Sequence, residues 1–154
     1  MACVNSTNFV ITINEFPTAF FKSFKGLRQG CALSPILFIL VMEALNRRIV
    51  DYRDMGLITS FKMTHHVYVT HCMFVDDLPL GGVKSITEWK YFHHILDTFG
   101  SALGLYMNSN KSELITDHEE AGEVEQIYRI FWVTTRPLDT GFTYRGFHIK
   151  PNRY

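Results

Sequence analysis

The chain has the length and composition of one folded domain. Its 154 residues are 47% hydrophobic and 19% charged, a balance that excludes a disordered segment. The 15 basic and 15 acidic side chains cancel, so strong binding of nucleic acid by charge would need parts that are not in this chain. The longest apolar run, Ile36 to Met42, is too short to cross a bilayer, so we expect no membrane partner.

Turn residues and apolar periodicity predict a mixed α+β domain. In chain order, the predicted elements are a hairpin around residues 14–17, a helix from Ser34 to about Asp51, two antiparallel strands within Phe61–Leu80 with their turn at Asp76–Asp77, a helix from about Ser85 to Leu103, a strand at Glu113–Thr116, a helix at Gly122–Phe131 and a hairpin at Phe142–Ile149. Ser34 is a favourable N-cap, and Pro35 suits the first helical position. That helix is apolar on nearly every side through Val41, so we expect its first half to be buried. Gly104 is the predicted end of the helix that begins near Ser85.

The cysteines and histidines follow no metal-binding pattern. The three cysteines are odd in number and are predicted to be free thiols in a reducing, intracellular compartment, whether nucleus or cytoplasm. His65, His66 and His71 lie close to Cys72 in the sequence, but a zinc site normally needs a second pair of ligands, which is missing here.

Two adjacent carboxylates, Asp76 and Asp77, follow an apolar β-type run from Tyr68 to Val75. Neighbouring side chains inside a strand point to opposite faces, but at a tight turn both carboxylates can reach the same rim. Carboxylate oxygens suit Mg²⁺, which is often shared with substrate phosphates, and two such ions can clamp a phosphoryl transfer. For an isolated Asp-Asp pair, a solvated turn between two strands is the commoner explanation.

Four blocks of residues together favour the catalytic interpretation. They are Gly26–Pro35, which contains Gly-x-x-Gln-Gly and Ser-Pro, then Phe74–Asp77, Gly104–Glu113 and Phe142–Gly146. In this order and spacing the blocks resemble motifs B, C, D and E of reverse transcriptases, particularly those of plant-type non-LTR (LINE-like) retrotransposons. The resemblance covers nearly the whole chain, from about Phe9 to Tyr154.

The resemblance implies an incomplete polymerase palm, α+β, with an antiparallel sheet and helices packed on one face. The implied activity is RNA-directed DNA synthesis, in which deoxynucleotides are added to a DNA primer on an RNA template with Mg²⁺. Asp76 would be the main metal ligand and Asp77 the supporting one. Lys111 would assist the departing pyrophosphate, although a surface lysine is the commoner explanation for a lysine in a polar loop.

Two further loops would contact template and primer by the same resemblance. Gln29, flanked by Arg28 and Gly30, would contact the template or the incoming nucleotide. Tyr144 and Gly146 would belong to the hairpin that grips the primer end. Each has a structural alternative, because a glycine-bounded loop can simply cap a core helix and the tyrosine can be part of the core.

Departures from the family pattern predict impaired catalysis. Residues 1–30 contain one acidic residue, Glu15, which matches no motif A pattern, so we expect the third metal-binding carboxylate to be absent, together with fingers and thumb. Pro79 cannot donate to a strand ladder, and Gly81 weakens the same strand. Arg145 replaces the leucine of the family's Tyr-Leu-Gly.

Residues 1–154 are therefore predicted to form a single, partial reverse transcriptase domain. The alternative is a catalytically dead retrotransposon remnant that at most binds nucleic acid or a protein. A third hypothesis is that a separate chain supplies the missing palm and fingers segment in trans.

Overall fold

The computed structural model describes residues 8–22, 26, 30–62, 65–82, 85–117 and 121–150. The chain divides into two compact units, Met1–Ala44 and Leu45–Tyr154. The described residues form three α-helices and several two-stranded sheets, which confirms a mixed α+β class. Among the described helices, none combines the length and the hydropathy that a bilayer crossing requires.

The first unit contains a hairpin whose turn is made by two left-handed residues. The strand pairs are β1 (Asn8–Phe9) with β4 (Phe21–Lys22) and β2 (Thr12–Ile13) with β3 (Phe16–Pro17), all antiparallel. Asn14 and Glu15 have φ values of 48° and 72°, as in the type I′ turns that match the twist of two paired strands. Phe9 and Phe21 stack across β1 and β4 with ring centroids 5.9 Å apart. The predicted hairpin is confirmed, and its turn is Asn14-Glu15.

Helix α1 spans Leu33–Asp54 and begins earlier than predicted. Because Leu33 is already helical, Ser34 lies in the first turn and is not the N-cap. The expectation that the first half is buried is also wrong, since Ile36 and Ile39 are 56% and 65% exposed. The described part of the first unit is a hairpin and half of this helix, which offer too little apolar surface to enclose a helix that is apolar on every side.

Helix α2 (Ile86–Leu103) begins and ends at the predicted residues. The Ser85 hydroxyl accepts a hydrogen bond from the backbone N–H of Glu88 at 3.3 Å, which satisfies one of the unpaired donors of the first turn. Gly104 adopts the left-handed conformation with φ 72°, and its N–H donates to the carbonyl of Gly100 at 2.7 Å. Both ends of the helix are therefore specified by local residues.

All three helices contribute side chains to the core of the second unit. Its buried apolar side chains are Leu45, Ile49, Tyr52, Ile58, Phe92, Ile95, Leu114, Phe131 and Val133. Tyr52 of α1 meets Tyr91 of α2 edge to face, with ring centroids 5.7 Å apart. Phe131, at the end of α3 (Ala121–Phe131), meets Trp89 of α2 in the same manner at 6.0 Å. These aromatic contacts tie α2 to both other helices.

The strands form separate two-stranded sheets, and one pair is parallel. The remaining pairs are β5 (Phe61–Lys62) with β6 (Tyr68–Val69), β7 (Glu113–Thr116) with β8 (Thr134–Pro137), and β9 (Phe142–Tyr144) with β10 (Phe147–Ile149). Helix α3 connects β7 to β8 and returns the chain in the same direction, so this pair is parallel. The predicted strand and helix are confirmed here, and four of the five described strand pairs are antiparallel, although the pairs form separate two-stranded sheets.

Gly81 makes room for an aromatic ring beside the strand segment that precedes the aspartates. Its N–H donates to the carbonyl of Thr70 at 2.8 Å, so the backbone pairing is kept at this position. A Cβ atom built on Gly81 would overlap the ring of Phe61 on β5. The absence of a side chain therefore has a packing reason, which the sequence alone did not indicate.

Replacing Gly81 with alanine should lower the free energy of unfolding by about 1–3 kcal/mol, because the new methyl group must displace the Phe61 ring. Urea unfolding followed by circular dichroism would measure it. The matched control is Gly122→Ala, which has open space within α3 and should be neutral or stabilising by up to about 1 kcal/mol. Equal effects of the two substitutions would contradict the packing argument.

Candidate active site

The two aspartates lie at the tip of a tight hairpin. Phe74 donates its N–H to the carbonyl of Asp77 at 3.0 Å, and Asp77 donates its own to the carbonyl of Phe74 at 2.9 Å. Val75 and Asp76 are therefore the two turn residues, and Asp77 begins the returning segment. The predicted turn at Asp76–Asp77 was wrong by one residue. Both carboxylates belong to exposed residues, so they are accessible to a ligand from solvent.

The turn is backbone-strained at Val75. Its φ is 53°, in the left-handed region that β-branched residues rarely adopt. A two-residue hairpin needs a positive φ at its first central position, which glycine normally supplies. Valine there costs stability, and strain of this kind is concentrated at functional turns, where it presents a neighbouring side chain in a fixed direction. Here the neighbour is Asp76.

Pro79 breaks the ladder behind the turn. Cys72 donates its N–H to the carbonyl of Pro79 at 3.0 Å, but proline has no N–H to donate in return. The pairing around it consists of isolated bridges, including the one between Phe74 and Asp77. These bridges do not join into a continuous strand. As the sequence predicts, Pro79 donates nothing to the ladder, and the strand is broken at this point.

A second hairpin brings a basic side chain to the aspartate turn. Strands β9 and β10 are joined by Arg145 and Gly146, which have φ values of 54° and 81° and form a type I′ turn. The guanidinium carbon of Arg145 lies 3.7 Å from the centroid of the Phe74 ring. Its Nη1 atom lies 3.7 Å from Oδ2 of Asp77. The blocks predicted as motifs C and E are thus in contact.

The chain matches a known protein family over nearly its whole length. The family model described as Reverse transcriptase (RNA-dependent DNA polymerase) matches residues 3–149 of the chain. The chain belongs to the reverse transcriptase family. The match contains the aspartate turn and the Arg145 hairpin in full, so both features are parts of a reverse transcriptase domain.

The two carboxylates of this reverse transcriptase domain are of the ligand type that divalent cations prefer. Reverse transcriptases generally use divalent metal ions. Asp76 and Asp77 provide exposed oxygen ligands, and Mg²⁺ commonly takes one or two carboxylates together with water and substrate phosphates. Nowhere in the described residues do three or more His, Cys, Asp or Glu side chains come together as a metal site. Within the described part of the domain, a metal ion at this turn would therefore have two protein ligands.

The structure describes some of the other predicted site residues and not others. Arg28 and Gln29 lie outside the described residues, whereas Gly30 is exposed with φ 81° in the first unit. Lys111 ends a short 3-10 turn, Ser109–Lys111, and is exposed. Within the described ranges, the structure shows no ion pair between Lys111 and either aspartate. The role of Lys111 toward a departing pyrophosphate stays a prediction.

Tyr144 and Gly146 lie on the hairpin that reaches the aspartate turn. Tyr144 is half-buried and pairs with Phe147 across β9 and β10, while Gly146 is in the turn itself. The residue between them, Arg145, makes the contacts with the aspartate turn. Sequence reasoning named Arg145 only as a departure from the family pattern, and the one signal for its role was a charge at the tip of a predicted hairpin.

His71 ties the segment before the aspartates to helix α1. Its Nε2 lies 2.9 Å from Oδ1 of Asn46, and its Nδ1 lies 2.8 Å from the hydroxyl oxygen of Thr70. An amide oxygen only accepts, so Nε2 carries the proton and Nδ1 accepts from Thr70. Burial, and then the positive charge of Arg53, lowers the pKa of His71 from its ordinary value of 6.5.

Replacing Val75 with glycine should raise the free energy of unfolding by about 1 kcal/mol, because glycine adopts a positive φ without strain. Urea unfolding monitored by tryptophan fluorescence would measure the change. The control is Val124→Gly in helix α3, where the same substitution should destabilise by roughly 0.5–1 kcal/mol. Destabilisation by both variants would show that Val75 is not strained.

The pKa shift of His71 predicts a loss of stability in weak acid. Because the pKa is lowered in the folded state, the unfolded chain binds more protons between the folded pKa and 6.5. The contribution is fully present above pH 6.5 and declines as the pH falls through this window.

Urea unfolding at about pH 7.5 and about pH 5.5 should show a smaller pH-dependent loss for His71→Gln than for the wild type. His94→Gln, an exposed change on α2, should keep the wild-type loss. An unchanged pH dependence in His71→Gln would contradict the assignment.

Proposed function

We propose that this chain is the palm portion of an RNA-directed DNA polymerase, which adds deoxynucleotides to a DNA primer on an RNA template. The observation that carries the proposal is the pair of exposed carboxylates, Asp76 and Asp77, at the tip of a strained hairpin. Its membership of the reverse transcriptase family supports the reaction class. The motif pattern favours a plant-type non-LTR (LINE-like) element as the origin.

The two aspartates have different surroundings, which suits different roles. Asp76 is a turn residue and projects from the tip, so it is the proposed main ligand of Mg²⁺. Asp77 lies within reach of Arg145 and is the proposed supporting ligand. A bound divalent ion would stabilise negative charge that develops on the transferred phosphoryl group.

The remaining roles follow the motif pattern. Arg28, Gln29 and Gly30 are the proposed contacts to the template or the incoming nucleotide. The hairpin of Tyr144 and Gly146 is the proposed primer contact, and its position beside the aspartate turn favours this role, because a primer end must lie near the metal. Lys111 is the proposed donor to the departing pyrophosphate.

For full activity, the proposal requires a third metal-binding carboxylate and additional nucleic-acid contacts. Both would come from further segments. Glu15 is the one acidic residue among residues 1–30, and it is an exposed turn residue of the first hairpin. Fingers, thumb and the motif A carboxylate would therefore come from a further segment, either joined to this one or acting in trans.

A second candidate is a catalytically inactive remnant that binds nucleic acid or protein. The interrupted ladder at Pro79 favours it, because a loosely held hairpin positions metal ligands poorly. The contact of Arg145 with Asp77 favours it as well, since one of the two carboxylates is already engaged by a cation.

Primer extension on poly(rA)–oligo(dT) with Mg²⁺ tests the polymerase proposal. Asp76→Asn should reduce deoxynucleotide incorporation by about 100-fold or more, because it removes a charged ligand of the ion that stabilises the transition state. Asp97→Asn, an exposed change on α2, removes the same charge away from the turn and should leave incorporation unchanged.

The assay should be run with the chain alone and with added upstream segments that carry a motif A aspartate. Incorporation that depends on Asp76, with the chain alone or with added segments, supports the polymerase proposal. A chain that binds the primer–template but incorporates nothing in any mixture supports the inactive remnant.

A further inference from the structure

We infer that Arg145 is an internal counter-ion of the carboxylate pair Asp76 and Asp77 and lowers the affinity of that pair for a divalent cation. The inference rests on the proposed function, because it takes the two carboxylates to be the metal ligands. It adds a positioning residue that acts on the metal through Asp77.

Two contacts place the Arg145 guanidinium against the turn. One joins Nη1 to Oδ2 of Asp77 at 3.7 Å, and the other places the guanidinium carbon 3.7 Å from the centroid of the Phe74 ring. Phe74 and Asp77 exchange both of their backbone hydrogen bonds, so their side chains are cross-strand neighbours on one face of the hairpin. The aromatic face attracts the cation and holds it beside the carboxylate.

The backbone around Arg145 presents this charge from a defined point. Tyr144 and Phe147 are paired across β9 and β10, and only Arg145 and Gly146 lie between them. A two-residue turn of this type has fixed backbone angles and matches the twist of its strands. The side chain of Arg145 therefore leaves the backbone at the end of the hairpin that meets the aspartate turn.

A metal ion that binds Asp77 must share the carboxylate with this guanidinium. A divalent ion close to the turn is also repelled by the positive charge. Because the side chains of Arg145 and Asp77 are each 48% exposed, water weakens the pair, and the metal affinity is reduced without being abolished.

Mn²⁺ is a suitable probe, because it takes oxygen ligands and its free form is measured directly by electron paramagnetic resonance. The full chain would be titrated as wild type and as Arg145→Asn, since asparagine tolerates the left-handed φ of 54° at this position. Arg145→Lys keeps the charge. Arg129→Gln on α3 removes an equal charge from an exposed ion pair with Glu125 and serves as the matched control.

The Mn²⁺ dissociation constant of Arg145→Asn should be lower than that of the wild type by about threefold to tenfold. Arg145→Lys and Arg129→Gln should remain close to the wild type. Adding Asp76→Asn to Arg145→Asn should remove the binding. Equal dissociation constants for the wild type and Arg145→Asn, or the same tightening in Arg129→Gln, would overturn the inference.

The outcomes also separate this inference from the proposed function. Mn²⁺ binding that depends on Asp76 but is the same with and without Arg145 would overturn the counter-ion alone. Lack of Mn²⁺ binding by every variant would remove the metal site, and the counter-ion with it. Thermal unfolding would check that each variant folds, and Arg145→Gln would replace Arg145→Asn if the latter does not.

Discussion

The reciprocal pair of backbone hydrogen bonds between Phe74 and Asp77 is the constraint on which the candidate site depends. Closing a hairpin with only Val75 and Asp76 between the bonded residues forces a positive φ on the first of them. It places Asp76 at the tip and Asp77 on the returning arm, where a basic side chain from another hairpin can reach it. The difference between the two carboxylates follows from this closure and not from their chemistry, which is the same.

Elements with local signals were predictable from the sequence. Helix α2 has a hydroxyl at Ser85 and a glycine at Gly104, and both act on backbone groups within a few residues. The first and last residues of the helix could therefore be predicted from the neighbouring sequence. The first hairpin is specified in the same way by Asn14 and its neighbours. These predictions needed no knowledge of what packs against them.

Features without a specific local signal, and those that depend on distant residues, were not predictable. The turn was predicted one residue late because an Asp-Asp pair does not reveal which residue carries the closing hydrogen bond. The parallel pairing of β7 with β8 joins segments on either side of a helix, and the contact of Arg145 with Asp77 joins residues far apart in the chain. The apolar first half of α1 indicated burial, yet burial requires neighbours that composition does not provide.

The place of Pro79 in the hairpin has a consequence for motion. Its ring nitrogen faces Cys72 across the hairpin, so the missing bond lies between the two arms and not along the outer edge. Beyond the reciprocal bonds of Phe74 and Asp77, the next link is the single bond from Cys72. The tip can therefore tilt as a unit about the weakened pairing at Pro79. Local opening of this kind needs far less free energy than unfolding of the core. The backbone of both aspartates would then move as one unit, because both residues lie within the closed tip.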